Sequence, residues 1–289
     1  MRDWREDPKV KFGFLAPAII YLLTLLIFPA AFNIYSSLHR WYMGGGEPVF
    51  IGAANYLRLF SDARFLNGLS FTLRFVVTAV LLEILLGLLL ALSLNLLSRG
   101  RRIVMTLMLL PLIMAPIAVG YMWRIIYHAD YGLVPAVSKL LGIPRLYILS
   151  DPRLSFWGMV VIDVWQWTPF VLLVLYAALV SLPRDPLEAA LVDGASPIQR
   201  FRYVTLPLLT PIILIVMFLR LVEAFKVFDI IYITTGGGAL TESLSLYIYL
   251  VGLKQFDIGY GGAAAWIFFL IVLMIVTVMM FRLRRYMGL

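Results

Sequence analysis

The chain of 289 residues contains no cysteine, which excludes disulfides, thiolate metal ligands and cysteine nucleophiles together. Charge is scarce as well: Asp, Glu, Lys and Arg make up 14% of residues, against about 25% in an ordinary soluble domain. Histidine occurs only at His39 and His128, with no clustered partners that would make a metal-ligand set. No Gly-x-x-x-x-Gly-Lys-Ser/Thr run exists, so the chain has no P-loop for ATP. The Met43-Gly44-Gly45-Gly46 stretch reads as a flexible turn rather than a phosphate cradle. No Ser-His-Asp or paired-carboxylate arrangement can be assembled either. Apolar residues are what the chain has: 62% of it is hydrophobic and its mean hydropathy is +0.94. That balance excludes a disordered chain and argues against a water-soluble globule, leaving the bilayer as the natural solvent.

Six segments supply the roughly 20 mostly apolar residues that a membrane-crossing helix requires. They are 12–35, 72–97, 103–127, 154–182, 206–232 and 260–281. Basic residues precede the first, as in a signal peptide, but its apolar run exceeds an h-region of about 7–15 residues and predicts an uncleaved anchor. An even number of spans puts both ends on one side. One set of ends and connections carries Arg2, Arg5, Lys9, Lys11, Arg99, Arg101, Arg102, Arg184, Arg200, Arg202, Arg282, Arg284 and Arg285. The opposite set carries only Arg40, Arg58, Arg64, Lys139, Arg145, Arg153 and Lys254. Excess Lys and Arg marks the cytoplasmic side, so both termini are expected in the cytoplasm of a multi-pass inner-membrane protein. The net charge of +8 is thereby assigned to topology, and a nucleic-acid partner loses its motivation.

The connection between the fourth and fifth spans, 183–205, carries more local signals than a linker needs. Asp185 can cap a helix in which Pro186 is the first residue and Glu188 the third. Gly194 stands where helices end in a left-handed residue. Ser196, Pro197 and Gln199 then repeat the start pattern as a capping box, predicting a second short helix before Pro207. An amphipathic segment lying in the headgroups is the plainer reading of the same residues.

Glu188-Ala189-Ala190, then Gly194, then Val204-Thr205-Leu206-Pro207 resembles the EAA signature of the permease subunits of ABC importers. Both internal spacings match, with Val204 in place of the usual Ile. Phe50-Ile51-Gly52 with Asn55-Tyr56, Trp165-Gln166-Trp167-Thr168-Pro169-Phe170 and Phe228-Asp229-Ile230-Ile231-Tyr232 are similar to the carbohydrate-uptake branch. Thr235-Gly236-Gly237-Gly238 is similar to maltose and glycerol-3-phosphate permeases, with Ala239 where that branch commonly has Pro. The resemblance implies an all-α, polytopic membrane protein: one permease domain over residues 1–289, six transmembrane helices, and a cytoplasmic coupling helix between the fourth and fifth. It implies a transport subunit without an ATPase site of its own, importing a sugar or sugar derivative. Glu188, Ala189, Ala190, Asp193 and Gly194 would couple it to two ATP-binding subunits, which hold the ATP and Mg. A second homologous permease and an extracytoplasmic solute-binding protein complete the implied assembly, and no cofactor or metal belongs to this chain.

Ionisable side chains inside a bilayer are functional candidates by default. Asp163, Trp165, Gln166 and Trp167 lie together in the fourth span. Arg220, Glu223, Lys226 and Asp229 follow at three-residue steps in the fifth, so alternating signs can pair along one face. Glu83 and Arg74 belong to the second. Such a ladder can neutralise itself, reach another helix, or meet a solute. The resemblance implies a midplane site matching Asp163, Trp165, Trp167, Glu223 and Lys226, with Tyr121 and Trp123 of the third span beside it. Lys226 suits a phosphate as well as a hydroxyl, so neutral sugar and sugar phosphate both remain open. Pro17, Pro29, Pro111, Pro116, Pro169 and Pro211 interrupt the spans as hinges or static kinks. The alternative function is a self-contained secondary transporter, ion-coupled through Asp163, Glu223 or Asp229, for which the EAA spacing has no use.

Overall fold

The computed structural model describes the backbone of residues 8–287 and the side chains of 12–282 and 284. Arg2 and Arg5 lie outside the described residues, as do the side chains of Lys9, Lys11 and Arg285. Almost everything described is helical. In chain order the elements are α1 (Pro8–Ser37), β1 (His39–Arg40), β2 (Val49–Phe50), α2 (Ala54–Ser61), α3 (Ala63–Leu96), α4 (Arg101–Leu109) and α5 (Pro116–Ile126). These are followed by α6 (Leu133–Leu140), α7 (Pro152–Val180), α8 (Arg184–Val192), α9 (Pro197–Arg200), α10 (Leu206–Phe225), α11 (Asp229–Thr234), α12 (Leu244–Tyr249) and α13 (Ile258–Met287). Five helical stretches are long and apolar enough to cross a membrane, and a sixth is formed by a pair that bends.

That pair is the third span of 103–127, broken at a proline the sequence names as a hinge or kink. The α4 helix and the 3-10 turn Leu110–Ile113 meet α5 at 97°. Proline explains the break: Pro116 opens α5 at a position where its missing N–H is no loss, and the residue before a proline is pushed out of the helical region. Ala115 is extended accordingly (φ −63°, ψ 136°). Pro17, Pro29, Pro169 and Pro211, by contrast, sit inside helices that run on through them.

Two compact units can be distinguished. One comprises 1–62 and 248–269, the other 63–247 and 270–289. In the first, the expected flexible turn after α1 is built: β1 pairs antiparallel with β2, His39 opposite Phe50. Asn55 Nδ2 donates to the Ser37 and His39 carbonyls, at 2.9 and 3.0 Å, and Tyr56 shares a 2.6 Å hydrogen bond with Ser37 Oγ. Asn55 thus ties α2 to the Ser37 carbonyl at the end of α1 and to the His39 carbonyl of β1, and Tyr56 ties it to the Ser37 hydroxyl. A Cβ on Gly259 would strike the His39 carbonyl oxygen, so this close backbone approach requires glycine.

In the second unit α3 and α7 form the most extensive helix contact. They close around Ala91, Leu94, Val171, Leu172, Leu175 and Leu179, with Leu209 and Val216 of α10 completing the core. Gly87 permits the approach, because a Cβ there would fall 2.5 Å from Val171 Cγ1 and 3.2 Å from the Leu172 nitrogen. Asp151 starts α7 by accepting from the Arg153 and Leu154 amides, with Pro152 as the first residue.

Candidate functional site

Asp163, Gln166 and Trp167 stand at i, i+3 and i+4 of α7 and therefore share one face. Across from them α10 stops at Phe225, and Lys226, Val227 and Phe228 form a break before α11 begins at Asp229. Together with Pro116 of α5, these elements line a cleft of about 240 Å³ whose walls include Asp163, Gln166, Trp167, Glu223, Lys226 and Asp229.

Irregular backbone at membrane depth survives only when its polar groups find partners in the protein. The broken third span leaves the Met114 carbonyl, and Gln166 Nε2 donates to it at 3.2 Å. The broken fifth span leaves the Phe225 and Val227 carbonyls, which accept from Ser245 Oγ at 3.3 Å and Ser243 Oγ at 2.8 Å. Side chains from distant parts of the chain thus hold both breaks that edge the cleft.

Behind the cleft lies a buried ion cluster. Arg220 Nε and Nη2 donate to the two oxygens of Glu83 at 2.6 and 2.8 Å, and Nη2 also reaches Asp163 Oδ2 at 3.0 Å. Arg220 is 1% exposed, Glu83 0% and Asp163 5%. The cluster joins α3, α7 and α10, and the guanidinium carbon stacks 4.5 Å above the Trp167 ring centre. A cation over an indole face is attractive and orients both groups. Arg220 Nη1 makes no hydrogen bond among the described residues.

This geometry divides the charge ladder between two of the outcomes open to it. Arg220 turns inward to other helices, Glu223 and Lys226 pair with each other at 2.7 Å on an exposed surface, and Asp229 lies beyond the break. Asp163, Trp167, Glu223 and Lys226 do come together at the cleft. Trp165 does not: it points into a separate apolar cleft with Leu86, Leu107 and Pro111, where its ring meets Trp123 edge-on at 5.7 Å. Tyr121 is half exposed and, like Trp123, lines no part of the Asp163 cleft. Gln166 and Asp229, candidates by their place in apolar spans but not assigned to the path, line it as well, together with Phe228, and the candidates Glu83 and Arg220 stand behind it as a pair.

The connection after α7 departs from expectation at its start. The α8 helix begins at Arg184, with Pro183 in the cap position and no side-chain cap, so Asp185 sits in the first turn rather than capping it. Its end follows the pattern: Gly194 has φ +73°, its amide donates to the Leu191 carbonyl at 3.1 Å, and the Ala195 amide to Ala190 at 3.0 Å. These two bonds make a Schellman motif. Ser196 and Gln199 form the reciprocal capping box. The second short helix is not separate, however, because α9 passes through a π turn at Phe201–Thr205 directly into α10. No residue of α8 is buried; Glu188 and Ala189 are exposed and Val192 is 88% exposed.

The model of the family described as "Binding-protein-dependent transport system inner membrane component" matches residues 83–287. The trehalose/maltose transport system permease protein MalF of Thermococcus litoralis is 37% identical over 273 residues, covering 93% of this chain and 91% of that protein. The sn-glycerol-3-phosphate transport system permease protein UgpA of Shigella flexneri is 31% identical over 271 residues, covering 93% and 91%. Among solved structures, a bacterial ABC transporter involved in the import of the acidic polysaccharide alginate contains a chain that superposes with a TM-score of 0.85 at 26% identity, covering 98% of each.

Proposed function

Because the chain belongs to the binding-protein-dependent transport system inner membrane components, and is thus a multi-pass permease subunit of an ABC importer, we propose that it forms part of the translocation path for a sugar. A second permease would complete the path, two ATP-binding subunits would drive it, and an extracytoplasmic binding protein would deliver the solute. The relatives' names support the sugar assignment, and a complex of the alginate transporter with its periplasmic protein supports the delivery step. ATP and Mg would be held by the partner subunits. The chain's ends would lie in the cytoplasm, on the side of the basic connections.

One observation carries the coupling role: α8 is a capped, folded helix with no buried residue, joined through Gly194 and the capping box to α10, whose end edges the cleft. A helix that touches little of its own chain beyond the turn that follows it, and buries none of its residues there, suits reception by a partner's groove. Glu188 would supply a charged contact there, Ala189 and Ala190 a slim face, and Asp193 with Gly194 the turn. Asp163, Trp167, Glu223 and Lys226 would line the path.

The test is ATP-dependent uptake of labelled maltose and trehalose by proteoliposomes holding the complex that copurifies with this chain and its binding protein. Uptake that requires ATP hydrolysis, and that Gly194→Asp abolishes while the protein stays in the membrane, is the expected result. Uptake driven by an ion gradient with no ATPase present would overturn the reading.

A further inference from the structure

Similarity does not choose between neutral and anionic solutes, since the relatives' names include trehalose and maltose, sn-glycerol-3-phosphate and an acidic polysaccharide. The cleft does choose. Resting on the transport reading above, we propose that this chain's part of the path accepts neutral, hydroxyl-rich sugars and excludes phosphorylated or carboxylated ones.

The charges on and behind the cleft wall are four carboxylates, Glu83, Asp163, Glu223 and Asp229, against two cations, Arg220 and Lys226. Neither cation is offered to a ligand. Arg220 gives Nε and Nη2 to Glu83 and Asp163. Its remaining Nη1, though without a partner among the described residues, is buried with the rest of a side chain that is 1% exposed, lies under Trp167 and does not line the cleft. Lys226 is held by Glu223 at 2.7 Å. That pair is exposed and exchanges readily with water, but each time Lys226 swings free it leaves Glu223 uncovered, so the balance of charge does not improve. Arg124, the nearest basic residue on α5, donates to the Ile233 carbonyl at 3.2 Å and is absent from the cleft wall.

An anion-binding site needs forked guanidinium donors, free ammonium groups or converging backbone amides. Among the described residues no guanidinium lines the cleft, and its one ammonium is paired with Glu223. The one helix that begins at its edge, α11, places the carboxylate of Asp229 in its first turn, where a negative charge already occupies the positive end of the helix dipole. The charged side chains on the wall are mostly acceptors, the carboxylates of Asp163, Glu223 and Asp229, joined by the amide oxygen of Gln166, whose nitrogen gives one hydrogen to Met114. Acceptors of this kind call for hydrogen-bond donors on the ligand, which sugar hydroxyls supply and a dianionic phosphate lacks. The Trp167 and Phe228 rings on the same wall suit the C–H face of a pyranose.

The assembled importer, purified in nanodiscs through a tag on this chain and without its binding protein, separates this selectivity from that of the delivery protein. Calorimetric binding of maltose, trehalose, glycerol-3-phosphate and a trimeric uronate should give affinities for the anions at least about tenfold below those for the neutral sugars. Glu223→Gln combined with Asp229→Asn should narrow that ratio by about tenfold. Anions that bind as tightly as maltose to the unaltered importer overturn the inference, and so does a ratio that the double variant leaves unchanged. A cleft that binds none of the four compounds removes it as a solute site. Each of these failures leaves ATP-driven uptake intact, whereas failure of the transport reading appears as the absence of that uptake.

Discussion

Replacing Arg220 by methionine removes the guanidinium that Glu83 and Asp163 both contact, while filling much of its volume. Three charge-assisted hydrogen bonds of 2.6, 2.8 and 3.0 Å disappear at once. The two carboxylates cannot relax into water, being 0% and 5% exposed. Breaking a buried ion pair from one side costs about 3–5 kcal/mol, because the uncompensated charge must either stay buried or take up a proton. At roughly 2–4 °C per kcal/mol for a chain of this class, the melting temperature should fall by on the order of 10 °C. Thermal unfolding of the detergent-solubilised protein, followed by tryptophan fluorescence or by loss of the monodisperse peak, reads this directly. The companion variant Glu83→Met/Asp163→Leu/Arg220→Met removes the whole cluster and should recover most of the loss, since apolar replacements of complete buried networks are often neutral. An Arg220→Met protein as stable as the parent would refute the reasoning, as would a triple variant less stable than the single one.

Gly87→Ala should destabilise the protein by about 1–3 kcal/mol in the same assay, because the new methyl overlaps Val171 and the Leu172 backbone; Val171→Ala in addition should restore part of it. Gly194→Ala meets open space but must hold φ +73°, at a cost of about 1 kcal/mol. Hydrogen exchange in the last turn of α8 should therefore rise about fivefold, and less in Gly194→Asn, whose side chain tolerates that conformation. Gln166→Leu strips the donor from the Met114 carbonyl and should cost about 1–3 kcal/mol in thermal unfolding, although a leucine is welcome in the surrounding hydrocarbon. An unchanged melting temperature would mean that another donor holds the break.

Local chemistry made the long apolar helices and the turn and cap at Gly194 and Ser196 readable from the chain alone, though not the start of α8, where Asp185 does not cap. Gly194, Ser196 and Gln199 act through neighbours within five residues, and their bonds are those the spacing implies. The prolines of the third span were legible but the place of its break was not, because proline alone does not decide where a membrane helix breaks. Pro169 and Pro211 are tolerated inside α7 and α10, whereas at Pro116 the helix turns, and Gln166, 52 residues away, satisfies the carbonyl left behind. The fifth-span ladder was legible only in part, in the i,i+3 pairing of Glu223 with Lys226. Three-residue spacing describes neighbours on one helix, but Arg220 is claimed by Glu83, 137 residues earlier, and no periodicity within α10 could reveal that pairing. The wall of the cleft shared this fate: Asp163 and Trp167 announce themselves as polar or aromatic groups in an apolar run, while Phe228 is indistinguishable from lipid-facing phenylalanines until the break turns it inward.

The fusion of α9, the π turn and α10 has a mechanical meaning. From Pro197 to Phe225 the backbone is helical without interruption, a rod of roughly 40 Å at about 1.5 Å per residue. One end carries the capping box and the other stops at the cleft. Such a beam needs no relay of side-chain switches to convey a displacement; torque applied at Ser196 is delivered to Lys226 in a single motion. The π turn at Phe201–Thr205 is its compliant joint, since a wider coil with poorer stacking bends before the rest. Under the coupling role proposed for α8, the stiffness of these five residues would set how much of a displacement at Ser196 reaches the cleft.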